Sequence, residues 1–135
     1  MKMETATWIE AEQQLAKGDA VAILPVGAQE QHGRHMPLAT DTIMAAGLAE
    51  RLADVLGALL LPAIPYGETW TTAGWAGTIS LSFNTVVAIA VDIGAALAAQ
   101  NVAALVIVNG HFGNQAPLEQ AARTLLTQHH LPTLI

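Results

Sequence analysis

Apolar residues come along this chain in short runs parted by polar, glycine-bearing stretches, and the runs alternate between helical and strand-like patterns. Trp8, Ala11 and Leu15 recur on one helical face, Thr7 and Glu10 have the spacing of a capping box, and Gly18 follows. A helix over residues 7–17 is expected. AVAILPV, from Ala20 to Val26, is an apolar run of strand length. After a polar stretch, Ile43, Leu48, Leu52, Val55 and Leu56 recur at helical spacing up to Gly57, and LLLPAIP follows as a second short strand. Residues 66–77 have the glycine, threonine and tryptophan content of a loop, and TISLS, from Thr78 to Ser82, alternates like an exposed strand. Asn84 stands as N-cap to an alanine-rich helix over 85–100, and AALVIVN then runs apolar in the manner of a parallel-sheet strand. The loop GHFGNQ leads into a helix whose apolar face is assigned to Leu118, Ala122, Leu125 and Leu126, and LPTLI opens another strand.

Strands alternating with helices of this length predict an α/β domain with a mainly parallel sheet and right-handed crossovers. The longest uncharged apolar tract, Ile93 to Val108, is cut by Gln100 and Asn101 and is expected to be helix, turn and strand, not a membrane span.

Composition narrows the function. The chain has 135 residues, 53% of them hydrophobic and 12% charged, which is material for one domain with a sizeable core. Five Lys and Arg stand against eleven Asp and Glu, a formal charge of −6, with no basic stripe, so nucleic acid is not an expected partner. There are no cysteines, which removes disulfide frameworks, thiolate metal sites and cysteine nucleophiles. The polar N-terminus lacks the apolar segment of a signal peptide, leaving the cytoplasm as the default location.

The chemistry-bearing side chains gather in two loops that each follow an apolar strand: GAQEQHGRHMPLATD, from Gly27 to Asp41, and NGHFGN, from Asn109 to Asn114. In open parallel sheets, ligands bind at the carboxyl ends of strands where the strand order reverses, so the two loops can share one crevice. Glu30 and His32, two residues apart, point to the same side of an extended segment; Asp41 stands at the start of a helix and His111 adds a second imidazole. Taken singly, Asp41 fits an N-cap and Glu30 a solvated loop carboxylate. Taken together, carboxylate oxygen and imidazole nitrogen without thiolate suit zinc, manganese, iron or cobalt, as one ion or as two bridged by Asp41. Such an ion would polarise a carbonyl and yield a metal-bound hydroxide able to hydrolyse a C–N bond. Trp70 and Trp75 are either packing anchors or walls for a flat substrate.

LPVGAQEQHGRHMPLATDT, then GTISLS, then VIVNGHFGN, resembles in order and spacing the creatininase (creatinine amidohydrolase) family, whose pattern is P-x-G-x-x-E-Q-H-G-x-H-x-P, then D-T, G-T and N-G-H-x-x-N. The resemblance implies a three-layer α/β/α fold, a divalent-metal hydrolase (zinc, manganese or iron) of non-peptide or peptide amide bonds, with a small cyclic amide or formamide as the expected substrate, and a homo-oligomer, often a hexamer. It places Glu30, His32, Asp41 and His111 at metal-ligand positions, with Asp41 bridging. His35 matches a further histidine, assigned a catalytic or substrate-contacting role, and Trp75, Phe112 and Asn114 are assigned to the substrate pocket. Creatininases proper carry a glutamate where this chain has Gly113. The N-G-H-x-G-N form looks like the branch holding formamide-cleaving deformylases and mycofactocin-precursor peptidases. Family members are about twice this length and end in H-A-G and E-T-S motifs that nothing here matches. The chain is therefore expected to be the N-terminal portion of the usual domain, and a non-catalytic interaction or structural subunit is the rival to the hydrolase.

Overall fold

The computed structural model describes residues 1–135. Helix α1 (Trp8–Leu15) precedes strand β1 (Val21–Val26), helix α2 (Thr40–Leu56), the two-residue strand β2 (Leu59–Leu60), helix α3 (Phe83–Ala99), strand β3 (Ala104–Asn109), helix α4 (Gln115–His129) and strand β4 (Thr133–Leu134). The four strands are parallel, in the order β2-β1-β3-β4. The chain moves outward from β1 to β2 and then returns to place β3 on the other side of β1. The β1–β3 boundary is thus the point where strand direction of travel reverses, and their carboxyl ends open the crevice expected of such a sheet.

Strand alternation divides the core into two layers of contact. Ala22, Leu24 and Val26 of β1 and Leu105 and Ile107 of β3 face α3 and α4, whose Val86, Ala90, Leu97, Leu118, Ala121 and Leu125 complete one cluster. Ile23 and Val108 point the other way, onto Ala45, Ala49 and Ala53 of α2. Helices therefore cover both faces of the sheet, the three-layer arrangement. Alanine at every fourth position lets α2 lie close to the sheet, while Ile43, Met44, Leu48 and Val55 on its other side are exposed.

Helix α1 has no buried residue, so its termini carry much of its stability. The expected capping box is present: Thr7 N and Oγ1 donate to Glu10 Oε2 at 2.7 and 2.8 Å, and Glu10 N donates to Thr7 Oγ1 at 3.3 Å. Replacing Thr7 with Ala should cost about 1 kcal/mol of helix stability, read as faster amide exchange confined to α1. The hydrogen bonds from the Thr7 backbone and hydroxyl hold the Glu10 carboxyl below the ordinary glutamate value of 4.5. A lowered folded-state value means the box is fully formed above that ordinary value and lost as pH falls through the lowered one. Acidification should accordingly speed exchange in α1 before the sheet is affected.

Several local expectations are corrected. Ser82, not Asn84, caps α3: its Oγ accepts from Thr85 N at 3.2 Å, and Asn84 sits inside the first turn. TISLS forms no ladder, because Ile79 N donates to Gln29 O and Leu81 N to Gly67 O, two different loops that leave no common partner strand. Only Leu59 and Leu60 of LLLPAIP pair as a strand, with Ile64 making one isolated bridge to Val26. On α4, Leu118 and Leu125 are buried as expected, but Ala121 takes the place of Ala122 and Leu126 is exposed. The apolar tract does break as expected, with α3 ending at Ala99 and Asn101 at a φ of 60° before β3. No helix is long and apolar enough to cross a membrane.

Candidate metal centre

The β1 loop, the start of α2 and the β3 loop converge at the crevice. The segment after β1 is held extended from both sides, since Glu30 N donates to Leu38 O at 3.0 Å and Gln31 N to Thr78 Oγ1 at 3.1 Å. Glu30 and His32 consequently face the same cleft, as their spacing requires. Asp41 is not an N-cap, a position held by Ala39; it lies in the first turn of α2 with its side chain buried. The helix is set there by close approach to β3, for a Cβ at Gly110 would run into the Asp41 carbonyl oxygen.

Four of the sequence-predicted residues meet here. His32 Nε2 is 2.9 Å from Asp41 Oδ1, and His111 Nδ1 is 3.0 Å from Asp41 Oδ2 and 3.2 Å from Glu30 Oε1. Each imidazole is fixed from behind. His32 Nδ1 lies 3.2 Å from Glu30 O and His111 Nε2 lies 2.9 Å from Glu68 O. A carbonyl oxygen only accepts, so these outer nitrogens carry the protons, and in neutral imidazoles the inner nitrogens present lone pairs to the carboxylates. Acceptor then faces acceptor, and Asp41 Oδ2 is accordingly buried with no hydrogen-bond partner. A cation between them resolves that conflict, and atoms 2.9–3.2 Å apart can both reach one ion at about 2.0–2.2 Å. Burial pushes the His32 pKa down, but the Glu30 carbonyl and the Asp41 and Glu30 carboxylates outweigh it, and the net value is raised.

The surrounding cleft, about 720 Å³ and open to solvent, is lined by four carboxylates, Glu30, Asp41, Glu68 and Glu119, and by no Lys or Arg. Trp70, Thr72 and Phe112 line it too, and Thr72 Oγ1 donates to Glu30 Oε2 at 2.6 Å. Phe112 is almost fully exposed, standing at the cleft rim.

Three residues expected near the chemistry lie elsewhere. Trp75 lines a separate pocket with Gln31, Gly33, Arg34 and Leu38, and Trp70 is the tryptophan of the cleft. His35 is exposed and outside the cleft lining. Asn114 is fully buried beneath the site, where its Nδ2 donates to Gly27 O at 2.9 Å and its Oδ1 accepts from Glu68 N at 3.0 Å. It braces the two loops and contributes no wall to the cleft.

Glu68 and Thr72 were not among the expected site residues. Glu68 had one signal: it is the only charged residue between Asp54 and Asp92. A lone charge in so apolar a stretch calls for a partner or a function.

Known proteins resemble this chain in sequence and in fold. The family model for Creatininase, described as creatinine amidohydrolase, matches residues 4–134. The chain belongs to the creatininase family. It is 39% identical over 113 residues to creatinine amidohydrolase of Pseudomonas putida, covering 80% of this chain and 44% of that protein. It is 34% identical over 111 residues to the mycofactocin precursor peptide peptidase of Mycolicibacterium smegmatis, covering 78% and 44%. A mutant creatininase of Zn-Zn type superposes with a TM-score of 0.91 at 31% identity, over 98% of this chain and 57% of that one. The chain thus spans about half the length of the relatives it matches. Gly113 lies against Glu68, whose carbonyl oxygen a Cβ there would strike.

Proposed function

We propose that this chain carries the metal-binding portion of a creatininase-type amidohydrolase, acting on the C–N bond of a small cyclic amide or formamide. The observation that carries the reading is the pair of histidines, each fixed from behind by a backbone carbonyl and each presenting its inner nitrogen to the same carboxylate, Asp41. Glu30, His32, Asp41 and His111 would hold one or two divalent ions, zinc, manganese or iron. When bound, such an ion supplies Lewis acidity and brings the pKa of a coordinated water near 7. The residues supply the rest. Asp41 spans the two imidazoles, Thr72 orients Glu30, and Trp70 and Phe112 flank the cleft where an amide would sit. A cleft of about 720 Å³ falls in the usual range for small-molecule sites, roughly 300–1,000 Å³. The similarity to a mycofactocin precursor peptide peptidase keeps a peptide amide bond as the alternative substrate.

The purified chain should retain metal at a ratio of one or two per chain by elemental mass spectrometry, and hydrolysis of cyclic amides or formamides should disappear with chelator and return with metal. A folded chain that takes up no metal even when it is supplied would refute the proposal.

One observation favours a second reading, an interaction subunit completed by another polypeptide: the exposed apolar face of α2, including Val55 at 83% exposure. Hydrolysis by the isolated chain would exclude a non-catalytic role, whereas metal uptake without turnover, joined to self-association in sedimentation, would support it.

A further inference from the structure

We propose that the pocket lined by Trp75 and Arg34 is a second ligand site, separate from the metal cleft, and that it takes a small flat carboxylate. An extended backbone sends alternate side chains to opposite sides. Glu30 and His32 face the cleft, whereas Gln31 faces a cavity of about 480 Å³ shared with Gly33, Arg34, Leu38, Trp75 and Ala76. That volume is within the usual range for small-molecule sites, roughly 300–1,000 Å³. The two sides of the segment differ in charge. Carboxylates and no Lys or Arg line the cleft, while the pocket has one guanidinium and no acidic residue.

Each lining group has binding capacity that the fold leaves unspent. The chain's ion pairs use Lys2, His32 and His111, so the Arg34 guanidinium has no acidic partner. Gln31 Oε1 accepts from Gly33 N at 3.0 Å, which fixes the amide's orientation and leaves its Nε2 as a donor without a partner in the protein. Trp75 is 63% exposed and anchors no core, yet its backbone is held at both polar atoms: N donates to Thr72 O and O accepts from Thr78 N, each at 3.1 Å. An exposed indole on a fixed backbone offers a large contact face at little entropic cost. The loop is set closely onto the floor of the pocket, since Gly77 has a φ of 83° and a Cβ there would run into Leu38 Cδ1. The ligand chemistry follows from these groups. A guanidinium fork matches a carboxylate in two parallel hydrogen bonds, and an indole stacks on a flat ring. One Arg with no Lys beside it balances a single negative charge, so an aromatic monocarboxylate satisfies both walls at once.

The test is titration of the full 135-residue chain with benzoate, and with benzamide as its neutral isostere, followed by the indole N–H resonances of the three tryptophans. Benzoate should shift the Trp75 resonance saturably and leave that of Trp8 still. Benzamide should bind at least about tenfold more weakly, because it lacks the charge that the guanidinium pairs. Arg34→Gln should weaken benzoate by the same factor and leave benzamide unchanged, and Arg34→Lys, which keeps the charge and loses the fork, should fall between. Arg34 is exposed and unpaired, so these variants should fold, and circular dichroism checks it. Equal affinity for the two probes, benzoate binding untouched by Arg34→Gln, or a Trp75 resonance that neither probe moves overturns the proposal. A benzoate shift at Trp70 alone, abolished by chelator, assigns the carboxylate to a metal in the cleft; it overturns the pocket and leaves the metal centre standing.

Discussion

Asp41→Ala should leave the chain folded and empty of metal. The side chain is buried and is the only group within 3.0 Å of both inner imidazole nitrogens, so its loss removes a donor from each side of the centre at once. Damage to an outer partner alone costs about 10- to 100-fold in metal affinity, and removal of a shared donor costs more. The retained ratio should fall to near zero after gel filtration. Folding should be much less affected. Asp41 caps nothing, and its favourable position in the first turn of α2 is worth about 0.3–1 kcal/mol through the helix dipole. Its carboxylate is moreover a buried charge facing other acceptors, so the metal-free protein loses little when it goes. Asp41→Asn should behave alike, because an amide oxygen keeps the shape but not the charge. Full metal occupancy in either variant would remove Asp41 from the centre.

What could be read from the residues and what could not follow a physical division. The β1 and β3 runs were legible because a strand covered on both faces must be continuously apolar, and Glu30 and His32 were legible because strand-like backbone puts alternate side chains on one side. The union of the β1 and β3 loops followed from the reversal of order in a parallel sheet. Asp41 illustrates the limit. Capping and ligation draw on the same residue type, and only the packing of α2 against Gly110 shows that its side chain turns inward. Trp70 and Trp75 are equivalent by composition, and the turn at Trp70–Thr72 that aims one of them at the cleft is fixed by tertiary hydrogen bonds, among them Thr69 N to Ser80 Oγ. Glu68 showed only its isolation as a lone charge, for the same reason: its relation to Gly113 spans 45 residues and exists only once the loops meet.

Asn114→Ala is expected to be the most destabilising single change at the site. The side chain is fully buried and ties Gly27, at the end of β1, to Glu68, in the loop before α3, across 87 and 46 residues of sequence. Truncation leaves the buried Gly27 carbonyl and the half-buried Glu68 amide without partners, roughly 1–3 kcal/mol each, together with a small cavity. The sum, about 3–5 kcal/mol, is a large part of the roughly 5–15 kcal/mol that holds an ordinary domain together. Urea unfolding should show the loss directly, and the melting temperature should fall by roughly 10–15 °C. Asn114→Asp separates hydrogen bonding from volume. It keeps an acceptor for Glu68 N but turns an oxygen toward the Gly27 carbonyl, so it should be destabilised although no cavity forms. Because the same brace sets the Glu68 carbonyl behind His111, metal affinity should fall in both variants even where they remain folded. A stability within about 1 kcal/mol of wild type for Asn114→Ala would mean that water replaces the side chain and that the loops are held by other contacts.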